Sequence, residues 1–61
     1  PLEYIQQKRI ERAQLLLATT GHSLQEIANR VGLPNISYFS RLFTRTTKKT
    51  PAVFRKEHWS V

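Results

Sequence analysis

The amino-acid sequence predicts an all-α fold, a small three- to four-helix bundle in a single domain over residues 1–61. Three observations predict it. Apolar residues recur at helical spacing, and nowhere does the strict alternation of a half-buried strand appear. The two glycines, Gly21 and Gly32, fall between such segments rather than inside them. Two segments also open on helix-start signals, Ser23-Leu24-Gln25-Glu26 and Thr50-Pro51.

The first helix is expected over residues 2–18. At about 100° per residue, Leu2, Ile5, Ile10, Ala13, Leu16 and Leu17 gather on one face, with Gln6 and Arg9 near its edge. Tyr4 and Leu15 point nearly the opposite way. Either they are two stray exposed apolars, which is common, or this helix touches something on both sides. Thr19, Thr20 and Gly21 end the helix, with Gly21 suited to a left-handed C-terminal position.

Ser23 to Glu26 reads as a capping box, in which the Ser23 hydroxyl accepts from the Glu26 N–H and the Glu26 carboxylate reaches back to the Ser23 N–H. The helix over residues 24–31 buries Leu24, Ile27, Ala28 and Val31, and the small Ala28 allows a neighbouring helix to approach closely. Gly32 then permits positive φ. Leu33 plugs the core from the turn, Pro34 keeps the helix from running on, and Asn35 is a good N-cap. A third helix over residues 36–47 turns Phe39 and Phe43 inward, flanked by Ile36, Leu42 and Thr46. Thr50 caps the last helix, over residues 50–59, and Pro51 takes its first position. Val53 and Phe54 are expected to pack inward and Trp59 to close the end against the core.

The chain has 61 residues and no Cys, so neither a disulfide nor a thiolate metal site staples it. A chain this short buries only about 60% of its unfolded surface, and the core must be aliphatic and aromatic. His22 and His58 lie far apart in polar surroundings, which gives no ligand set for a metal. No cofactor is expected. The carboxylates are scattered, no Ser–His pair sits in a recognisable nucleophile turn, and no Gly-rich phosphate loop is present. The chain therefore does not read as an enzyme. No apolar run approaches the roughly 20 residues that span a membrane, and no signal peptide is visible. The start at Pro1 in place of Met leads to the expectation that this is a piece of a longer protein.

Ten Lys and Arg stand against four Asp and Glu, a net charge of +6. A basic domain of this size usually meets nucleic acid or another anionic surface. Two short helices joined by a tight Gly-containing turn form a helix-turn-helix, here residues 23–48, a homeodomain-like arrangement that places its second helix in the major groove of duplex DNA. Residues 35–49 carry Arg41, Arg45, Lys48 and Lys49 and no Asp or Glu. With Phe39 and Phe43 inward, the opposite side of the third helix holds Ser37, Arg41, Thr44 and Lys48. Ser40 lies at one edge, and Tyr38 and Arg45 at the other.

Arg41 is the leading candidate for base readout, because its fork matches guanine O6 and N7. Ser37 and Ser40 sit near the helix N-terminus, where recognition helices meet bases. Tyr38 joins them as a candidate base contact. Ser23, Asn35, Thr44, Arg45, Lys48 and Lys49 suit phosphates, which fix position without carrying sequence information. The alternative for all of these residues is a solvated face of a basic helix. A competing function class is a protein-interaction module that docks on RNA polymerase or a partner domain through Tyr4 and Leu15.

The pieces resemble the C-terminal part of the DNA-binding domain in the AraC/XylS family of bacterial transcription regulators. Its loose pattern Y-I-x-x-x-R-I-x-x-A-x-x-L-L is met by Tyr4, Ile5, Arg9, Ile10, Ala13, Leu16 and Leu17. The next block is met by Ser23, Leu24, Glu26, Ile27, Ala28, Val31 and Gly32, then Ser37, Tyr38, Phe39, Arg41 and Phe43, then Thr50, Pro51, Phe54 and Arg55. Three positions depart from it: Leu33 for the usual Phe, Thr44 for a common Lys, and Lys48 for the usual Gly. Either Lys48 adopts positive φ, at roughly 1 kcal/mol relative to Gly, or the helix runs on through it.

The resemblance implies a sequence-specific, cytoplasmic, nucleoid-associated DNA binder. It also implies a joining helix, residues 1–20, that follows another helix-turn-helix unit and packs against it through Tyr4 and Leu15. An effector or dimerisation domain elsewhere in the full-length protein is a further implied partner.

Overall fold

The computed structural model describes residues 2–59; Pro1, Ser60 and Val61, included in the expected domain, lie outside the described residues. Four helices follow one another: α1 (Leu2–Thr19), α2 (Leu24–Arg30), α3 (Ile36–Thr47) and α4 (Pro51–His58). No strand occurs among the described residues. The all-α bundle is therefore as expected, with α3 at its expected limits and α2 one residue shorter.

The core is a single cluster. Ile10, Ala13 and Leu17 of α1 meet Ile27 and Ala28 of α2, Val31 and Leu33 of the turn, and Phe39 and Phe43 of α3. Leu16, Leu24, Ile36, Leu42 and Phe54 pack against it, half-buried. The Phe39 and Phe43 rings lie 5.9 Å apart, and Phe54 from α4 meets Phe43 edge-on at 5.5 Å. Such tilted and T-shaped pairs set the negative face of one ring against the positive edge of another.

Four expectations about packing need correction. Leu2 and Ile5, assigned to the buried face of α1, are 69% and 47% exposed. The periodicity is right, but α1 extends past its neighbours and burial begins in earnest at Ile10. Val53 is 45% exposed, so only Phe54 turns inward from the start of α4. Trp59 does not close the core; it is 39% exposed and faces the Arg55 guanidinium at 5.5 Å.

The turn between α2 and α3 is a Schellman closure. The Leu33 N–H donates to the Ala28 carbonyl at 2.8 Å and the Gly32 N–H to the Asn29 carbonyl at 3.2 Å. This motif needs a left-handed residue at the position after the cap, and Gly32 supplies φ +82°. Leu33 is then delivered into the core. Gln25 ties the turn to α2, its side-chain N–H donating to the Pro34 carbonyl at 2.9 Å.

Gly21 does not adopt the left-handed conformation expected of it; among the described residues the positive φ values belong to Gly32 and Lys48. The reason lies in who satisfies the last carbonyls of α1. The Thr19 and Thr20 hydroxyls donate to the Leu15 and Leu16 carbonyls at 2.7 and 2.6 Å. Arg55 of α4 donates to the Leu17 and Thr20 carbonyls at 3.1 and 2.9 Å. The Leu16 carbonyl also accepts from the Thr20 N–H at 3.0 Å, and with Leu17 served by Arg55 the end of α1 is closed without a glycine cap. At the end of α3 the opposite holds: Lys48 sits at φ 66° and its N–H donates to the Thr44 carbonyl. Of the two alternatives at Lys48, the left-handed one is realised.

Candidate nucleic-acid interface

Two N-caps fix the helix-turn-helix. The Ser23 hydroxyl accepts from the Glu26 N–H at 3.1 Å, and the Asn35 side chain accepts from the Tyr38 N–H at 3.0 Å. The reciprocal half of the expected capping box is replaced: the Glu26 carboxylate pairs with Arg30 one turn on, at 3.1 Å. Its reach along the helix, where opposite charges four apart attract, wins over its reach back.

Helix α3 presents its polar side as the sequence pattern requires. Ser37, Arg41, Thr44 and Arg45 are exposed, and Ser40 is half-buried at the edge. Helical spacing stacks Ser37, Arg41 and Arg45 in one row, with Thr44 and Lys48 beside it. The side chains of Arg41, Arg45 and Lys48 make no hydrogen bond or ion pair among the described residues, so their charges are uncommitted. This face carries no carboxylate from its own helix.

The remaining expected contacts are partly engaged inside the protein. Thr44 spends its one hydroxyl proton on the Ser40 carbonyl at 2.8 Å, leaving only acceptor capacity towards the outside. Lys49 forms an ion pair with Glu57 of α4. That hydrogen bond from Lys49, aided by the charges of Lys49 and His58 and opposed by slight desolvation, holds the Glu57 carboxyl below its ordinary value. Asn35 keeps its amide N–H groups free while its oxygen caps α3. Ser23 keeps its hydroxyl proton by the same accounting.

Tyr38 is tied to α1. Its hydroxyl oxygen accepts from Gln6 Nε2 of α1 at 3.0 Å, which holds the ring on the α1 flank of α3. Sequence reasoning missed Gln6, and it missed Arg9, which donates both to Gln6 Oε1 at 3.3 Å and to the Gly32 carbonyl at 3.4 Å. The signal was present: two long polar side chains at the edge of an otherwise apolar helical face. Arg55, which closes α1, left no comparable mark in the local sequence.

Among the described residues no group of three or more His, Cys, Asp or Glu side chains could hold a metal ion. Among the described residues no helix is long and apolar enough to cross a membrane.

Residues 1–57 match the model of a helix-turn-helix domain family. The chain is 44% identical over 55 residues to the bifunctional transcriptional activator/DNA repair enzyme AdaA of Bacillus subtilis, covering 90% of this chain and 26% of that protein. It is similarly 44% identical over 55 residues to the transcriptional activator RhaR of Cronobacter sakazakii, covering 90% and 19%. The regulator AlkR of Acinetobacter baylyi is 39% identical over 57 residues, covering 93% and 19%. The chain thus spans about a quarter or less of the length of these relatives. No solved structure matches it. With its helices, its Schellman turn and its cationic third helix in place, the chain belongs to the AraC/XylS-type helix-turn-helix family of bacterial transcription regulators, as a sequence-specific DNA-binding domain.

Proposed function

We propose that α3 enters the major groove of duplex DNA and that Ser37, Ser40 and Arg41 read base edges there. Arg41 takes a guanine through its bidentate fork. Arg45 and Lys48 bind phosphates, joined by Ser23 and Asn35 through their spare donors. Lys49 joins them by exchanging Glu57 for a phosphate. Thr44 does so by turning its hydroxyl away from the Ser40 carbonyl. The observation that carries this reading is the exposed, carboxylate-free face of α3 with the charges of Arg41, Arg45 and Lys48 uncommitted. The domain works as a binding module, not as an enzyme; for AdaA, named as both activator and repair enzyme, the match covers only 26% of the protein.

In the whole protein, α1 joins this unit to a preceding helix-turn-helix unit, and an effector or dimerisation domain lies elsewhere in the chain. The regulator acts in the cytoplasm, at the nucleoid. A second reading, docking on RNA polymerase or a partner domain, is favoured by one observation: Leu2, Tyr4, Ile5 and Leu15 of α1 are all exposed.

NMR titration of the labelled chain with mixed-sequence duplex DNA separates the two readings. Shifts concentrated on residues 35–49, with Ser23 and Leu24 also moving, support groove binding by α3. Shifts absent, or spread over every Lys and Arg, move the weight to the docking reading.

A further inference from the structure

Three side chains from two helices form one continuous hydrogen-bond chain: Arg9 to Gln6 within α1, and Gln6 to Tyr38 of α3, with Arg9 also bound to the Gly32 carbonyl of the turn. The polarity of this chain follows from its first member. A guanidinium has donors and no acceptor, so the Gln6 amide must turn its oxygen towards Arg9. Its NH2 group is then left facing Tyr38, and the Tyr38 oxygen must accept. The phenol's own proton is therefore not used on the protein side and is free to be donated outward.

We propose that Arg9 and Gln6 are positioning residues that make the Tyr38 hydroxyl a fixed hydrogen-bond donor to a DNA backbone phosphate beside the recognition helix. This rests on the DNA-binding reading above and deepens it. Tyr38 is exposed and anchored towards α1, away from Ser37 and Arg41, which the proposed reading turns to the base edges. A side chain on that flank meets the strand that walls the groove rather than the floor of the groove. Phosphate oxygens only accept, so a phenol whose proton was spent on Gln6 would face them with lone pairs and be repelled. Arg9 also lies across the turn: a Cβ on Gly32 would come within 3.5 Å of its Cζ. The same guanidinium that sets the donor thus braces the turn that leads into α3.

The test uses two probes, the duplex that the unaltered chain enriches from a randomised library and a mixed-sequence duplex of the same length. Affinities of Tyr38→Phe, Gln6→Leu and the double variant are read by fluorescence anisotropy, at a temperature where circular dichroism finds each folded. Each single change is expected to weaken binding to both duplexes by roughly 3- to 10-fold, the worth of one hydrogen bond. In the Tyr38→Phe background Gln6→Leu is expected to add nothing, because its only route to DNA is the phenol. A general structural role for Gln6 would instead persist in that background, and persistence overturns the proposal. Loss confined to the enriched duplex overturns the phosphate assignment, since Tyr38 would then read a base. If Tyr38→Phe weakens binding and Gln6→Leu does not, the positioning role fails while the DNA-binding reading stands. If Tyr38→Phe and Arg41→Ala both leave both affinities unchanged, the DNA-binding reading itself fails.

Discussion

Arg55 Nε lies 3.1 Å from the Leu17 carbonyl oxygen, so the last helix caps the first across 38 residues of sequence. The same guanidinium reaches the Thr20 carbonyl at 2.9 Å. Removing it leaves two partly buried carbonyls, Leu17 in α1 and Thr20 just beyond its end, without this charged donor. Arg55→Ala should cost about 1–3 kcal/mol. Arg55→Lys should recover only part of that, because a single ammonium does not reproduce the planar fork. Urea unfolding followed by circular dichroism measures both.

Phe43 is fully buried and touches the rings of Phe39 and Phe54. Truncation of a buried Phe to Ala costs about 3–5 kcal/mol. A domain of this size has roughly 3–9 kcal/mol in total. Phe43→Ala should therefore lower the melting temperature severely or leave the chain unfolded at 37 °C, whereas Val53→Ala, on the exposed side of α4, should change it little.

Lys48 should show opposite effects on stability and on binding. It holds φ 66° without being glycine. Lys48→Gly should stabilise the fold by about 1 kcal/mol, from relief of the left-handed penalty. The same change removes an uncommitted cation. DNA binding should weaken on every sequence, and the slope of log K against log salt should shrink by about 0.9. Thermal unfolding and anisotropy at several salt concentrations check the two halves.

Arg41→Ala should cost about 1–3 kcal/mol on the preferred duplex and relax the preference at one base pair. Equal losses on preferred and random duplexes would remove Arg41 from base reading and leave it as a phosphate contact.

Glu57 should compete with DNA phosphates for Lys49, with which it forms an ion pair. The Glu57 carboxyl is held below its ordinary value by its hydrogen bond from Lys49. A depressed folded value means that the pair's contribution is present above the unfolded carboxylate range and is lost as pH falls through the lower folded value. Glu57→Gln should flatten the acid limb of stability while leaving neutral pH nearly unchanged, since the pair is exposed. It should also tighten DNA binding without sequence preference, by freeing Lys49. Acid titration of the folded fraction, with binding at neutral pH, tests this; unchanged affinity would show that Lys49 is not a phosphate ligand.

Much of the architecture was legible because it rests on local chemistry. Asn35 and Thr50 announce their helices through side-chain caps that reach only three residues ahead. Gly32 announces the turn because the Schellman closure demands a left-handed residue there. The inward Phe39 and Phe43 and the outward Arg41 follow from the helical period alone.

What was not legible depends on where other helices end. The period assigns Leu2 and Ile5 to the right face of α1, but cannot say that α2, α3 and α4 leave that turn exposed. Gly21 looked like a cap, yet its task is taken by Arg55 from the far end of the sequence. The candidate site divides in the same way. Its cationic face is written in one helix, while the constraint on Tyr38 comes from Gln6, 32 residues earlier.

The closure of α1 by α4 also orders events during synthesis. Synthesis delivers the residues of α1, α2 and α3 before residues 51–58, so the Leu17 and Thr20 carbonyls must wait for Arg55. Phe43 likewise lacks the ring of Phe54. The helix that meets DNA is thus made before the residues that lock its scaffold. A chain truncated just before Phe54 should leave the Phe43 ring less covered and be cut by proteases more readily than the 61-residue chain.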